Sequence, residues 1–148
     1  MQYKLIDANL DKRDKLIKYK LDTIFEYANG LSKKEKDKIT DYVNQNIDEY
    51  LNQYKVIIYD NRVIGGFLIR SHLDGVLLDE IYIENEYRNR GIGKNIINDI
   101  ISKNNTIYLW VYKKNIKAIS LYNKLGFKII EKTDTRYFMK YNESLSNR

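Results

Sequence analysis

The chain has 148 residues, 43% of them hydrophobic and 31% charged, with a net charge of +6. That balance suits one globular domain able to bury a sizeable core and excludes a disordered segment. With no Cys and one His, His72, disulfides, thiolate nucleophiles and Cys- or His-rich metal sites are excluded, and no metal is expected. A Ser-His-Asp triad would have to be built on His72 alone. No apolar run approaches the ~20 residues of a bilayer span, and the opening residues lack the apolar core of a secretion signal. A single domain over residues 1–148, cytoplasmic and independent of membranes, is the expectation, with 142–148 as a frayed tail.

Gln2 to Asp7 alternates weakly and reads as a first strand. Leu10 to Tyr27 carries Leu16, Ile17, Lys20, Leu21, Ile24 and Tyr27 at helical spacing and stops at Asn29-Gly30. Ser32 and Glu35 form a capping-box pattern ahead of a second helix, whose stripe is Ile39, Tyr42, Val43, Ile47, Tyr50 and Leu51. Lys55 to Tyr59 and Arg62 to His72 are strands joined by an Asp60-Asn61 turn, and Gly65-Gly66 marks a bulge or a close approach. Asp74-Gly75 turns into a strand from Val76 to Ile83. A helix over Ile92 to Lys103, a strand over Thr106 to Tyr112 and a helix over Ile116 to Leu125 follow. Phe127 to Glu131 and Thr135 to Tyr141 read as a closing hairpin. The order β-α-α-β-β-β-α-β-α-β-β predicts an α/β mixed sheet with helices on both faces.

Between the strand 76–83 and the helix 92–103 lies Arg88-Asn89-Arg90-Gly91-Ile92-Gly93-Lys94. Glycine permits a tight turn and close backbone approach to a ligand. The first N–H groups of a helix lack intrahelical acceptors, and the helix dipole favours negative charge there. An anion such as a pyrophosphate fits; taken alone, the stretch reads equally as an ordinary loop with solvated cations.

Two further stretches strengthen the anion reading: Asp79-Glu80-Ile81-Tyr82-Ile83 before the loop, and the strand and helix from Leu109 to Phe127 after it. Together they resemble the GNAT superfamily of acyl-CoA-dependent N-acetyltransferases. Its first signature, Arg/Gln-x-x-Gly-x-Gly/Ala between strand and helix, is matched at Arg88, Gly91 and Gly93. The second, Asn-x-x-Ala-x-x-x-Tyr-x-x-x-Gly-Phe, is matched at Asn115, Ala118, Tyr122, Gly126 and Phe127. The element order fits along the whole chain. One departure is Asn85, where the family often has Pro.

The resemblance implies a GNAT-like fold and acetyl-CoA as co-substrate, lying between the strands 76–83 and 106–112. It implies pantetheine pairing with the backbone of Ile81, Tyr82 and Ile83, and pyrophosphate held by Arg88, Asn89, Arg90, Gly91, Ile92, Gly93 and Lys94. Asn115, a helix cap in any case, gains a contact to the cofactor arm. Tyr122 lies on the stripe Ala118, Leu121, Tyr122, Leu125 and so points toward the sheet; an ordinary core aromatic would do the same. The resemblance gives it the role of proton or hydrogen-bond donor to the departing thiolate, and a phenol with a pKa of ~10 is protonated at neutral pH.

An attacking amine must be neutral, so a base is needed. Alternation places Leu78, Glu80 and Tyr82 on one strand face and Leu77, Asp79, Ile81 and Ile83 on the other. Glu80 is the candidate base; it could instead be salt-bridged, with Asp79, His72 or a water chain in its place. Some family members carry a Glu on the later strand, where this chain has Trp110. On that strand Tyr108, Trp110 and Tyr112 share a face that either lines the acceptor pocket, attracting an ammonium group, or forms a second core layer. Trp110 and Tyr27 are the substrate-binding candidates, with Tyr42 a further contributor. The expected function is direct transfer of an acetyl group from acetyl-CoA to a primary amine, small-molecule or peptide, by a monomer or homodimer. The alternative is a catalytically weak CoA-binding sensor module. Lys113, Lys114, Lys117 and Lys124 form a basic cluster without any nucleic-acid motif, so no nucleic acid is expected as partner.

Overall fold

The computed structural model describes residues 2–143. In chain order they form β1 (Tyr3–Asp7), α1 (Arg13–Tyr27), α2 (Lys33–Tyr50), β2 (Tyr54–Tyr59), β3 (Arg62–His72), β4 (Gly75–Ile83), α3 (Ile92–Lys103), β5 (Thr106–Tyr112), α4 (Ile116–Lys124), β6 (Lys128–Lys132) and β7 (Arg136–Asn142). The strands make one mixed sheet in the order β1-β2-β3-β4-β5-β7-β6. This is the expected α/β order, with short 3-10 turns added at Leu10–Lys12, Leu51–Gln53 and Asn85–Tyr87. No helix among the described residues is long and apolar enough to cross a membrane.

The described chain falls into two compact units, residues 2–68 with Ile81–Tyr87, and Ile69–Glu80 with residues 88–143. In the first, α2 starts at the expected capping box: Glu35 N–H donates to Ser32 Oγ at 3.1 Å and Ser32 N–H to Glu35 Oε1 at 3.2 Å. Such a cap stabilises a helix by about 1 kcal/mol. Leu16, Tyr19, Val43, Ile47, Tyr54, Val56 and Leu68 form its core. Lys20, on the apolar stripe, is buried and donates to Asn46 Oδ1 at 2.6 Å, which satisfies its ammonium. Tyr42 departs from expectation: it is 61% exposed, because the α2 face that packs inward is centred on Val43 and Ile47.

Of the two readings of Gly65-Gly66, the close approach is at the glycines themselves, and the bulge falls beside them at Ile64. The β2–β3 register shifts between Ile57 and Ile58. A Cβ on Gly65 would lie 2.1 Å from the Tyr82 carbonyl oxygen, and one on Gly66 would lie 2.8 Å from Leu16 Cδ2. No side chain fits at Gly65.

In the second unit, β5 pairs with β7 along its whole length, from Thr106↔Asn142 to Tyr112↔Arg136. Ile92, Ile96, Ile97 and Ile100 are buried on the inner stripe of α3, and Ile107, Leu109 and Val111 are buried on β5. The end of α4 is fixed by bonds from Gly126 N–H to Asn123 O (3.2 Å) and from Phe127 N–H to Tyr122 O (3.0 Å), a Schellman pattern. Phe127 is therefore fully buried in the cap and β6 begins one residue later than expected. Asn142 and Glu143, expected in a frayed tail, are held in place. Asn142 ends β7 and donates to Thr106 Oγ1 at 2.9 Å, and Glu143 N–H donates to Asn105 O at 3.0 Å. Residues 144–148 lie outside the described part.

Candidate active site

The loop before α3 has the conformation its glycine predicts. Gly91 is the N-cap of α3 at φ 84°, ψ 4°, with Asn89 also left-handed at φ 62°. A Cβ at Gly91 would meet nothing within 4 Å, so the position needs glycine for its backbone angle and leaves open space above the loop. The first intrahelical bond runs from Asn95 N–H to Gly91 O at 3.0 Å. The N–H groups of Ile92, Gly93 and Lys94 precede it, have no intrahelical acceptor and receive no side-chain cap from Gly91. Arg88, Arg90 and Lys94 are exposed around them. An anionic group with several oxygens, such as a pyrophosphate, fits this donor set.

Before the loop, β4 runs parallel to β5 but registers with it only at Val76↔Ile107, Leu77↔Tyr108 and Leu78↔Leu109. The pairing stops where the backbone changes: Glu80 sits at φ 62°. A left-handed residue interrupts the extended geometry on which alternation rests, so counting across Glu80 does not fix the faces of Ile81 to Ile83. Leu77 and Leu78, adjacent in sequence, are both buried. A non-glycine residue held there stores about 1–3 kcal/mol of strain, which tends to be kept at functional positions.

Glu80 is half-buried, and its charge raises the pKa of the Tyr112 hydroxyl, where burial is the larger cause. Its neighbour Asp79 is paired at 3.5 Å with Arg70 Nε. His72 stands edge-on to the rings of Tyr108, at 5.2 Å, and Phe138, at 6.1 Å.

Tyr122 on α4 is 7% exposed and packs against Phe127 with ring centroids 5.6 Å apart. Burial pushes its pKa up to about 12, and its Oη has no hydrogen-bond partner among the described residues. The phenol is therefore protonated across the physiological range, with its proton uncommitted. Asn115 caps α4, its Oδ1 accepting from Ala118 N–H at 3.2 Å.

Glu80, Arg88 to Lys94, Trp110, Asn115 and Tyr122 thus fall in the second unit, while Ile81, Tyr82, Ile83 and Tyr27 fall in the first. In that first unit Tyr82 stacks on Tyr19 at 4.5 Å, and Tyr19 Oη donates to Glu84 Oε2 at 2.5 Å. Glu84 N–H donates to Ile64 O at 2.7 Å, so the end of β4 is held by α1 and β3 together. Burial and the Glu84 bond both raise the Tyr19 pKa. Tyr27, the last residue of α1, is half-buried. Sequence reasoning passed over Tyr19, although it lies three residues from Leu16 on the same helical stripe.

The aromatic face of β5 already carries the protein's own cations. Arg136 Cζ lies 4.6 Å from the Trp110 ring centroid and Lys140 Nζ 5.4 Å from that of Tyr108. Tyr108 stacks on Phe138 at 5.5 Å and donates to Asp74 Oδ1 at 2.6 Å, a bond that lowers the Asp74 pKa and raises its own. Leu77, Tyr108 and Phe138 make a small core of their own, with Trp110 packed against it. Arg136 could not be foreseen, since only the β5–β7 register sets it opposite Tyr112. The described residues contain no cluster of three or more His, Cys, Asp or Glu able to hold a metal.

Fold and loop together define a class: a mixed α/β protein whose α3 starts uncapped at a left-handed glycine, with exposed cations around it. Residues 51–129, over half of the chain, match the family described as the acetyltransferase (GNAT) domain. The chain belongs to the GNAT acetyltransferase family. Among curated relatives, the spermine/spermidine N(1)-acetyltransferase of Bacillus subtilis (strain 168) and the probable spermine N(1)-acetyltransferase of Bacillus subtilis subsp. natto are each 36% identical over 58 residues. That stretch is 35% of this chain and only 38% of either relative's length.

Solved structures share the fold over nearly the full length. The GNAT-family acetyltransferase of Staphylococcus aureus Mu50 superposes with a TM-score of 0.72 at 22% identity, covering 96% of this chain and 99% of its own. The PaiA N-acetyltransferase of Thermoplasma acidophilum, in complex with coenzyme A, gives 0.69 at 19% identity, with the same coverage.

Proposed function

We propose that the chain is an N-acetyltransferase that moves an acetyl group from acetyl-CoA to a primary amine by direct transfer in a ternary complex. The observation that carries this reading is the start of α3, with Gly91 left-handed, open space above it and uncapped N–H groups among Arg88, Arg90 and Lys94. Family membership and a structural neighbour bound to coenzyme A support acetyl-CoA as the ligand.

In this reading the N–H groups of Ile92, Gly93 and Lys94 bind the pyrophosphate, with Arg88, Asn89 and Arg90 around it. Ile81, Tyr82 and Ile83 lie beyond the last registered β4–β5 pair and offer backbone to the amide-rich pantetheine arm. Asn115 contributes from the start of α4. Acetyl-CoA supplies an activated thioester. Glu80 accepts the proton that the amine loses as its nitrogen becomes bonded to the acetyl carbon. Tyr122 donates a hydrogen bond to the sulfur as the carbon–sulfur bond breaks, and CoA leaves as its thiolate. Positioning and hydrogen bonding suffice, and no covalent enzyme intermediate is needed. Trp110 and Tyr27 are assigned to the acceptor side. Spermine, on which a relative's name is based, belongs on the first acceptor panel.

Calorimetric titration of acetyl-CoA, followed by thiol-release assays over an amine panel, tests the proposal. Saturable binding and amine-dependent release of free CoA are expected. Absence of binding at millimolar acetyl-CoA would reject it.

A further inference from the structure

We infer that the acceptor carries a carboxylate beside its amine, as α-amino acids do, and that Arg136 receives that carboxylate. The inference rests on the N-acetyltransferase reading and concerns which amines it selects.

Arg136 stands opposite Tyr112 in the β5–β7 register, half-buried, with its guanidinium over Trp110. Among the described residues no carboxylate lies within ion-pairing distance of it, whereas Arg70 has Asp79 and Lys140 feels the charge of Asp74. A half-buried arginine whose guanidinium lies over an indole and pairs with no described carboxylate is placed to receive an anion. The fork of the guanidinium matches a carboxylate bidentately.

Glu80 lies within electrostatic reach of the same place. The Tyr112 hydroxyl feels both groups, Arg136 lowering its pKa and Glu80 raising it. An acceptor with its amine at Glu80 and its carboxylate at Arg136 matches this pair of opposite charges. A polyamine matches it poorly, because its second ammonium would meet the guanidinium.

The test compares α-amino acids, the corresponding carboxamides and spermine as acceptors, for the wild type, Arg136→Gln and Arg136→Lys. Wild type is expected to favour amino acids over their amides by about 10–100-fold in kcat/KM, the range of one charge-assisted pair. Arg136→Gln should raise KM for amino acids by a similar factor and leave KM for acetyl-CoA and for the amides unchanged. Arg136→Lys, which keeps the charge and loses the fork, should fall between. Trp110 is the only tryptophan, so amino acids should alter its fluorescence in the wild type and not in Arg136→Gln. Equal use of acids and amides, or a preference for spermine, overturns the inference and leaves the transferase reading standing. Acetylation of nothing on the panel, with acetyl-CoA bound, also overturns the inference, whereas loss of acetyl-CoA binding itself overturns the transferase reading.

Discussion

Replacing Tyr122 by Phe removes one oxygen from a side chain that is 7% exposed and leaves the ring against Phe127, 5.6 Å away. No described residue loses a hydrogen bond, so stability should change by less than about 0.5 kcal/mol. The effect on rate follows from the phenol's pKa of about 12. Against a thiol near 8.5, full proton transfer would be uphill by about 3.5 units, or roughly 5 kcal/mol. Tyr122 therefore keeps its proton and acts as a hydrogen-bond donor to the developing thiolate. A bond to a charged group contributes about 1.5–3 kcal/mol, which corresponds to a loss of about 10–150-fold in kcat. In a thiol-release assay at saturating acceptor, Tyr122→Phe should show that loss with KM for acetyl-CoA unchanged. The pH–rate profile should keep its shape between pH 6 and 9. A kcat within twofold of wild type on the best acceptor would refute the donor role.

Four other outcomes are expected. Tyr122→Phe should also flatten the alkaline stability curve. In the wild type the unfolded phenol ionises near 10 and the folded one only near about 12, so stability is lost as pH rises through that window, by about 2–3 kcal/mol; equal alkaline denaturation curves would contradict this. Gly91→Val places a β-branched residue at φ 84°, at a backbone cost of about 1–3 kcal/mol; calorimetry should show acetyl-CoA binding weakened by at least about tenfold, and unchanged affinity would sink the cradle. Glu80→Gln should lower kcat by about 10²–10⁴ and remove the acidic limb of the pH–rate profile, and an unaltered profile would exclude Glu80 as the base. Gly65→Ala puts a Cβ 2.1 Å from the Tyr82 carbonyl and should lower Tm by about 3–10 °C, measured by calorimetry; an unchanged Tm would mean that the end of β4 moves freely.

Long periodic elements were legible because their signals are local. The helix over Ile92 to Lys103, the Ser32–Glu35 box and the end of α4 before Gly126 each depend on residues within a turn or two, and all three formed where the sequence put them. Features set by partners distant in sequence were not. Nothing near Glu80 announces a left-handed backbone, so alternation counted across it cannot fix the faces of β4. Tyr42 obeys helical spacing yet faces outward, because which edge of a wide stripe is covered depends on the packing partner. The β5–β7 register that sets Arg136 opposite Tyr112 is likewise invisible in one dimension. Gly65-Gly66 falls between these cases: the pair signals a close approach, and only the fold shows that Tyr82 is what approaches.

The central claim is that this chain acetylates amines from acetyl-CoA. Incubation of the protein with isotopically labelled acetyl-CoA and a mixed amine panel that includes α-amino acids and spermine, read by mass spectrometry, tests it most directly. The account predicts a labelled N-acetyl amine formed in step with free CoA, and strongly reduced by Tyr122→Phe. Acetyl-CoA left intact, or hydrolysed with no labelled amine, would contradict it.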